Sequence, residues 1–154
     1  MQSRFDGSGA VVYSLRHTMA HRFITTAEAL KEEYKGRTNY WLTRPGVADA
    51  RDLQLCRAVI PPDEGHPFHT HPELEEIIYV LEGEVEQWVE KECRVLKPGE
   101  VAHIPRGLVH ATFNAGRTDA VILAILSPAS CEGPFAVDVS GEEPWRSLRP
   151  KPGH

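Results

Sequence analysis

Between Leu53 and Leu126 the chain is a succession of short apolar segments, each broken after four to eight residues by glycine, proline or a polar turn. Segments of that length suit strands, and an amphipathic helix needs a longer periodic run. With no alternation of strand and helix, the pattern points to an all-β sandwich or barrel. The expected strands are 53–60, 68–71, 76–81, 84–89, 93–96, 101–104, 109–113 and 120–126. Pro61 and Pro62 close the first, Asp63 and Glu64 make an acidic turn, and Pro128 closes the last.

The flanks read differently. Residues 10–15 form a short candidate strand, and 23–25 a second. Thr25 with Glu28 three residues on has the form of a capping box, which predicts a short helix over 26–35 ended by Gly36. A single helical turn on an extended arm is the alternative. A strand carrying Tyr40 and Trp41 is expected at 39–43, followed by a loop at 44–52. The chain thus divides into an N-terminal arm (1–52), a central barrel (53–127) and a Pro- and Gly-rich C-terminal tail (128–154) that wraps the surface.

A chain of 154 residues suits one domain around one core. The net charge of −5, with no basic cluster, argues against a nucleic-acid partner. The longest apolar run, Ala120 to Leu126, is too short to cross a membrane, and no signal-peptide core stands near Met1. Cys56, Cys93 and Cys131 are odd in number and widely spaced, which favours free thiols and a cytoplasmic setting.

The chemistry concentrates in two stretches. His69 and His71 are two apart and leave one face of an extended strand together. Glu75 and Glu76 open the next apolar run, on opposite faces of it, and His110 lies further on. Two imidazoles and a carboxylate on neighbouring strands make a metal site, with His110 as a fourth ligand. Neutral imidazole and carboxylate together suit a divalent ion (iron, manganese, nickel, cobalt, zinc or copper), and the lack of a thiolate argues against structural zinc.

These stretches resemble the paired motifs of the cupin superfamily. The first, His-x-His, four residues, glutamate, six residues, glycine, is met by His69, His71, Glu76 and Gly83. Its opening glycine departs, because only three residues lie between Gly65 and His69 where the pattern leaves five. The second is met at every position by Gly99, Pro105, Gly107, His110 and Asn114, and only 15 residues separate Gly83 from Gly99. The spacing selects Glu76 over Glu75, which is then solvated or paired with a basic residue, while Glu73 lies in the turn. The resemblance implies a double-stranded β-helix (jelly-roll) barrel of a small single-domain microbial cupin, with one metal ion per chain and assembly as a homodimer. It also implies a small-molecule ligand.

Outside the motifs, Arg57 amid apolar neighbours is a candidate to bind a substrate carboxylate, or else forms a salt bridge on the outer face. His66 and His103 are candidates for proton transfer. Tyr79 and Trp88 read as core or interface aromatics, and Cys93 as a strand residue. The leading functional expectation is a metal-dependent oxidoreductase of dioxygenase type acting on a small oxygen-rich molecule. The alternatives are a metal-dependent lyase, isomerase or decarboxylase, and a non-catalytic module that binds a sugar or small acid.

Overall fold

A computed structural model describes residues 23–149. The strands are β1 (Leu30–Tyr34), β2 (Arg37–Thr43), β3 (Gln54–Ile60), β4 (Gly65–Thr70), β5 (Glu75–Glu82), β6 (Val85–Val89), β7 (Glu92–Leu96), β8 (Val101–Ile104), β9 (His110–Asn114), β10 (Ala120–Ser127) and β11 (Val137–Asp138). One short helix, α1 (Trp145–Leu148), follows. They form a six-stranded sheet in the order β1-β2-β3-β10-β5-β8 and a five-stranded sheet in the order β11-β4-β9-β6-β7. The described pairings are antiparallel. Two such sheets face to face make the jelly-roll barrel.

Alternation decides what lies between the sheets. On β3, Gln54, Cys56, Ala58 and Ile60 are buried while Leu55, Arg57 and Val59 are only partly covered. On β5, Glu76, Ile78 and Val80 point inward. Ala58, Ile60, Ile78, Val80, Val85, Ile104, Ala120 and Ile122 form one apolar cluster between the sheets, and Trp41, Cys56, Leu74 and Leu126 form a second.

Two motif positions have structural reasons. Gly83 sits at φ +73°, and a Cβ there would lie 3.0 Å from the Ala120 backbone, so only glycine passes between the strands without strain. Asn114 is buried and donates from Nδ2 to the carbonyls of Ile60 (2.7 Å) and Thr118 (2.8 Å). Its Oδ1 accepts from the Gly116 amide at 2.7 Å, so one side chain ties three segments.

The N-terminal flank departs from expectation. The Thr25–Glu28 pairing forms, since the Glu28 carboxylate accepts from the Thr25 amide at 2.8 Å, but the turn ends at Glu28 and Ala29 is already extended. Residues 30–34 are a strand, and no strand occupies 23–25. Lys35 and Gly36, at φ 47° and 82°, make a two-residue turn that folds β1 onto β2 through five paired positions. A helix over 26–35 would align only Ala27, Leu30 and Tyr34 on one face, a narrow stripe, whereas the strand gains a ladder of backbone hydrogen bonds with β2. The candidate strand at 10–15 lies outside the described residues.

The tail packs on the barrel. Val137 and Asp138 pair with Thr70 and His69, and Lys35 forms an ion pair with Asp138 that fastens the β1–β2 turn to it. Trp145 lies against Phe68 on the outer face of the five-stranded sheet, where Trp88 and Phe113 also pack. Arg149 stacks on Phe113 with 3.8 Å to the ring centre and donates to Glu86 at 2.9 Å.

Candidate metal centre

Register brings the four motif ligand candidates together. His69 on β4 and His110 on β9 are direct cross-strand partners. His71 follows one residue past β4, and Glu76 reaches in from β5 of the facing sheet. One ligand atom from each lies within 4.8 Å of the others, and all four residues are buried. The group therefore joins the two sheets.

Each imidazole is aimed by its other nitrogen. Nδ1 of His69 faces the Pro67 carbonyl at 2.8 Å, that of His71 the Phe135 carbonyl at 2.6 Å, and that of His110 the Leu108 carbonyl at 3.0 Å. A carbonyl only accepts, so in each ring Nδ1 carries the proton and Nε2 turns a lone pair into the site. Glu76 Oε2 stands 2.8 Å from His110 Nε2 and 3.6 Å from His71 Nε2. Yet Glu76 Oε2, His69 Nε2 and His110 Nε2 have no partner of hydrogen-bond geometry, and of the buried side-chain atoms so left among the described residues only Thr70 Oγ1 lies elsewhere. Nothing in the structure explains Thr70. Three lone-pair donors around a carboxylate repel one another unless a cation lies between them, so this donor set fits a divalent metal ion.

The electrostatics are those of a dry site. Burial, reinforced by His110, holds the His69 imidazole well below its ordinary pKa and hence neutral. Burial works the same way on His71, but the adjacent Glu76 carboxylate outweighs it and leaves His71 raised. For Glu76 burial acts to raise the carboxyl, while His110 and His71 beside it hold it below the usual carboxylate range. The anionic form thus persists although the group is enclosed.

The cluster opens on a cavity of about 370 Å³, at the small end of small-molecule sites. Ile60, Ile78, Ile122 and Leu126 make apolar walls, and Arg37, Asn39, Thr112 and His66 add polar groups. Phe135 of the tail closes one side, its ring against His71 and Trp41. The tail is held there by the Glu73 carboxylate, which accepts from the amides of Glu132 (3.1 Å) and Gly133 (2.7 Å).

The other candidates separate. His66 lies on the cavity wall, stacked on His69 with 3.5 Å between ring centres, and burial holds its imidazolium well below the ordinary range. His103 is on the outer face of β8, 57% exposed, 3.3 Å from Glu75, so Glu75 is both solvated and beside a histidine. Arg57 also faces outward, its guanidinium 4.4 Å from the centre of the Tyr40 ring. Neither His103 nor Arg57 lines the cavity, because odd-numbered residues of β3 and of Ile77–His103 pairing point to the outer face. Two arginines do line the cavity: Arg37, which is buried, and Arg44, half-buried with its guanidinium 4.7 Å from the centre of the Trp41 ring; the sequence reading singles out neither. Trp88 packs on Phe68, and Cys93 is exposed on β7.

A jelly roll holding three histidines and a glutamate between its sheets defines a class of metal-binding barrel. The Cupin domain family model matches residues 56–126, and this part of the chain is a domain of the cupin superfamily. Germin-like protein 1 of Brassica napus is 35% identical over 83 residues, 51% of this chain and 40% of that protein. The chain spans about two-fifths of the length of the curated relatives it matches. Among solved structures, the polyketide cyclase RemF from Streptomyces resistomycificus superposes with a TM-score of 0.68 at 22% identity, covering 86% of this chain and 96% of that one. A predicted oxalate decarboxylase from Thermotoga maritima gives 0.63 at 22% identity, covering 70% and 99%. These likenesses show the fold. No helix among the described residues is long and apolar enough to cross a membrane.

Proposed function

We propose that the protein is a metal-dependent enzyme acting on a small, oxygen-rich molecule, with chemistry of dioxygenase type. The observation that carries this reading is the aiming of three Nε2 lone pairs and the Glu76 carboxylate at one buried point on a cavity wall. In this reading His69, His71, Glu76 and His110 hold one divalent ion per chain. Such an ion supplies Lewis acidity toward an enolate or catecholate and, where it is redox-active, electrons for oxygen chemistry. The protein's own part is positional. The backbone carbonyls fix the imidazoles, the apolar walls and Phe135 exclude water, and His66 and Thr112 offer hydrogen-bonding groups to the substrate. Of the three candidate catalytic side chains, His66 is the one we assign to substrate contact.

The test is elemental analysis of protein purified without added metal, then oxygen uptake with iron, manganese or nickel loaded, across flavonols, β-diketones and catechols. Metal at one ion per chain and substrate-dependent uptake are expected. Turnover with zinc and without oxygen would transfer the protein to the lyases, isomerases or decarboxylases. Tight binding without turnover would make it a binding module.

We further propose a homodimer in the cytoplasm. The outer face of the six-stranded sheet carries Ile77, Leu81 and Val101 exposed beside the partly covered Tyr79, Val121 and Leu123, an apolar face that a second copy covers. The three free cysteines suit a reducing compartment. Light scattering that returns a monomer at micromolar concentration would overturn the dimer.

A further inference from the structure

Arg37 is the first residue of β2 and only 6% of it is exposed. Its guanidinium is held by neutral groups. Nε donates to Asn39 Oδ1 at 3.2 Å, Nη1 donates to the Gly65 carbonyl at 3.3 Å, and the Tyr34 ring centre lies 4.8 Å away. Among the described residues no carboxylate stands within ion-pair distance of it. Both acidic groups on the cavity wall are engaged elsewhere: Glu32 accepts from Trp41 Nε1 at 2.9 Å, and Glu76 faces the histidines. Lys35, Arg94, Arg146 and Arg149, all more exposed, each have an acidic partner. Arg44 and Arg57, which have none among the described residues, are half-buried over the Trp41 and Tyr40 rings, so Arg37 is the one of these that is fully buried.

A buried cation without a counter-ion is costly and is retained where something else supplies the anion. Arginine does not escape by losing its proton, although burial lowers its affinity for that proton. Two of its five N–H donors are used by the bonds just given, and the remainder form a fork matched to a carboxylate. With a divalent ion on three neutral imidazoles and Glu76, the cavity interior gains further positive charge and favours an anion more strongly. The opposing walls, Ile60, Ile78, Ile122 and Leu126, require an apolar body on the same molecule.

We propose that Arg37 is a specificity-determining anchor for the carboxylate of the substrate, a small organic acid with an apolar body and a metal-directed oxygen. This rests on the reading of the cavity as the substrate site of a metal enzyme. Arg37 takes the part that Arg57 suggests from sequence, from the neighbouring strand and the inner face.

The experiment compares benzoate, salicylate and 2-oxobutyrate with their methyl esters by titration calorimetry, on the manganese-loaded full chain and on the metal-free chain. Metal content is measured on every sample. At least one acid is expected to bind the wild type ten-fold or more tightly than its ester, with that preference kept in the metal-free chain. Arg37→Gln is expected to lose the preference at unchanged metal content, and Arg37→Lys to keep part of it. Equal binding of acid and ester, no binding of any acid, or an acid preference that survives Arg37→Gln would overturn the proposal. A preference present only with manganese would assign the carboxylate to the ion and overturn it as well. The acid–ester comparison on wild type holds even where Arg37→Gln does not fold. Absence of metal from the wild type, by contrast, counts against the metal reading and leaves the metal-free acid–ester result to judge Arg37.

Discussion

Glu75→Gln and Glu76→Gln remove the same charge from adjacent positions of one strand, and the structure separates them. The Glu76 side chain is 6% exposed and its Oε2 stands 2.8 Å from His110 Nε2, while the Glu75 side chain is 50% exposed on the outer face. In the proposed centre Glu76 brings the only negative charge. Loss of one charged partner costs about 1.5–3 kcal/mol, which is on the order of a hundred-fold in affinity. At a metal concentration about 100 times the wild-type Kd, binding stabilises the wild type by about 2.7 kcal/mol, but a hundred-fold weaker variant by about 0.4 kcal/mol. For a domain of this size that is a metal-dependent rise in Tm of about 8–10 °C in the wild type against about 1–2 °C in Glu76→Gln. Glu75→Gln is expected to keep the full metal-dependent rise, with the metal-free Tm moved by about 0.5 kcal/mol or less in stability. The assay is differential scanning fluorimetry with and without the metal, so that each variant is its own reference, supported by elemental analysis after dialysis. An unchanged rise in Glu76→Gln, or a lost one in Glu75→Gln, would refute the argument and the inward register of β5 with it.

Three further outcomes are expected. Burial pushes the Cys56 thiol up to about 12, so iodoacetamide at pH 8 should modify Cys93 and Cys131 in the folded protein and reach Cys56 only after unfolding; peptide mass spectrometry reads this, and early loss of Cys56 thiol would contradict it. Asp138 is held down to about 2 by Lys35 and Ser140, so its folded-state pKa is depressed. Its stabilising effect is therefore present above its ordinary 3.8 and lost as pH falls toward 2. Because both ends of the Lys35 pair are well exposed, Asp138→Asn should cost less than about 1 kcal/mol at pH 7, and urea titrations should show that gap closing between pH 4 and pH 2. Asn114→Ala leaves the Ile60 and Thr118 carbonyls and the Gly116 amide without their buried partner; a loss of about 2–4 kcal/mol in chemical denaturation is expected, and a loss below about 1 kcal/mol would show that water replaces it.

What the sequence by itself determined are the relations carried by short range. The spacing of His69 and His71 puts them on one face, and strand alternation separates Glu75 from Glu76, whatever the rest of the chain does. Short apolar segments between turn residues were enough for an all-β sandwich or barrel. Which face of each strand turns inward needed the tertiary structure. β3 is apolar on both faces, so nothing local tells Arg57 from Cys56, and only pairing with β2 and β10 sends Arg57 outward and Arg37 inward. The same holds for His103 on the rim strand β8, and for His66, whose local setting beside Pro67 gives no sign of the stack on His69. The helix expected at 26–35 is the converse case. Its capping residues do pair, but a ladder with β2 bonds every alternate backbone group of 30–34, and local propensity of a few tenths of a kcal/mol per residue is outweighed by that pairing. The Phe135 carbonyl that aims His71 is 64 positions away along the chain. Contacts of that range are made by the packing of the tail on the barrel, and no local pattern encodes them.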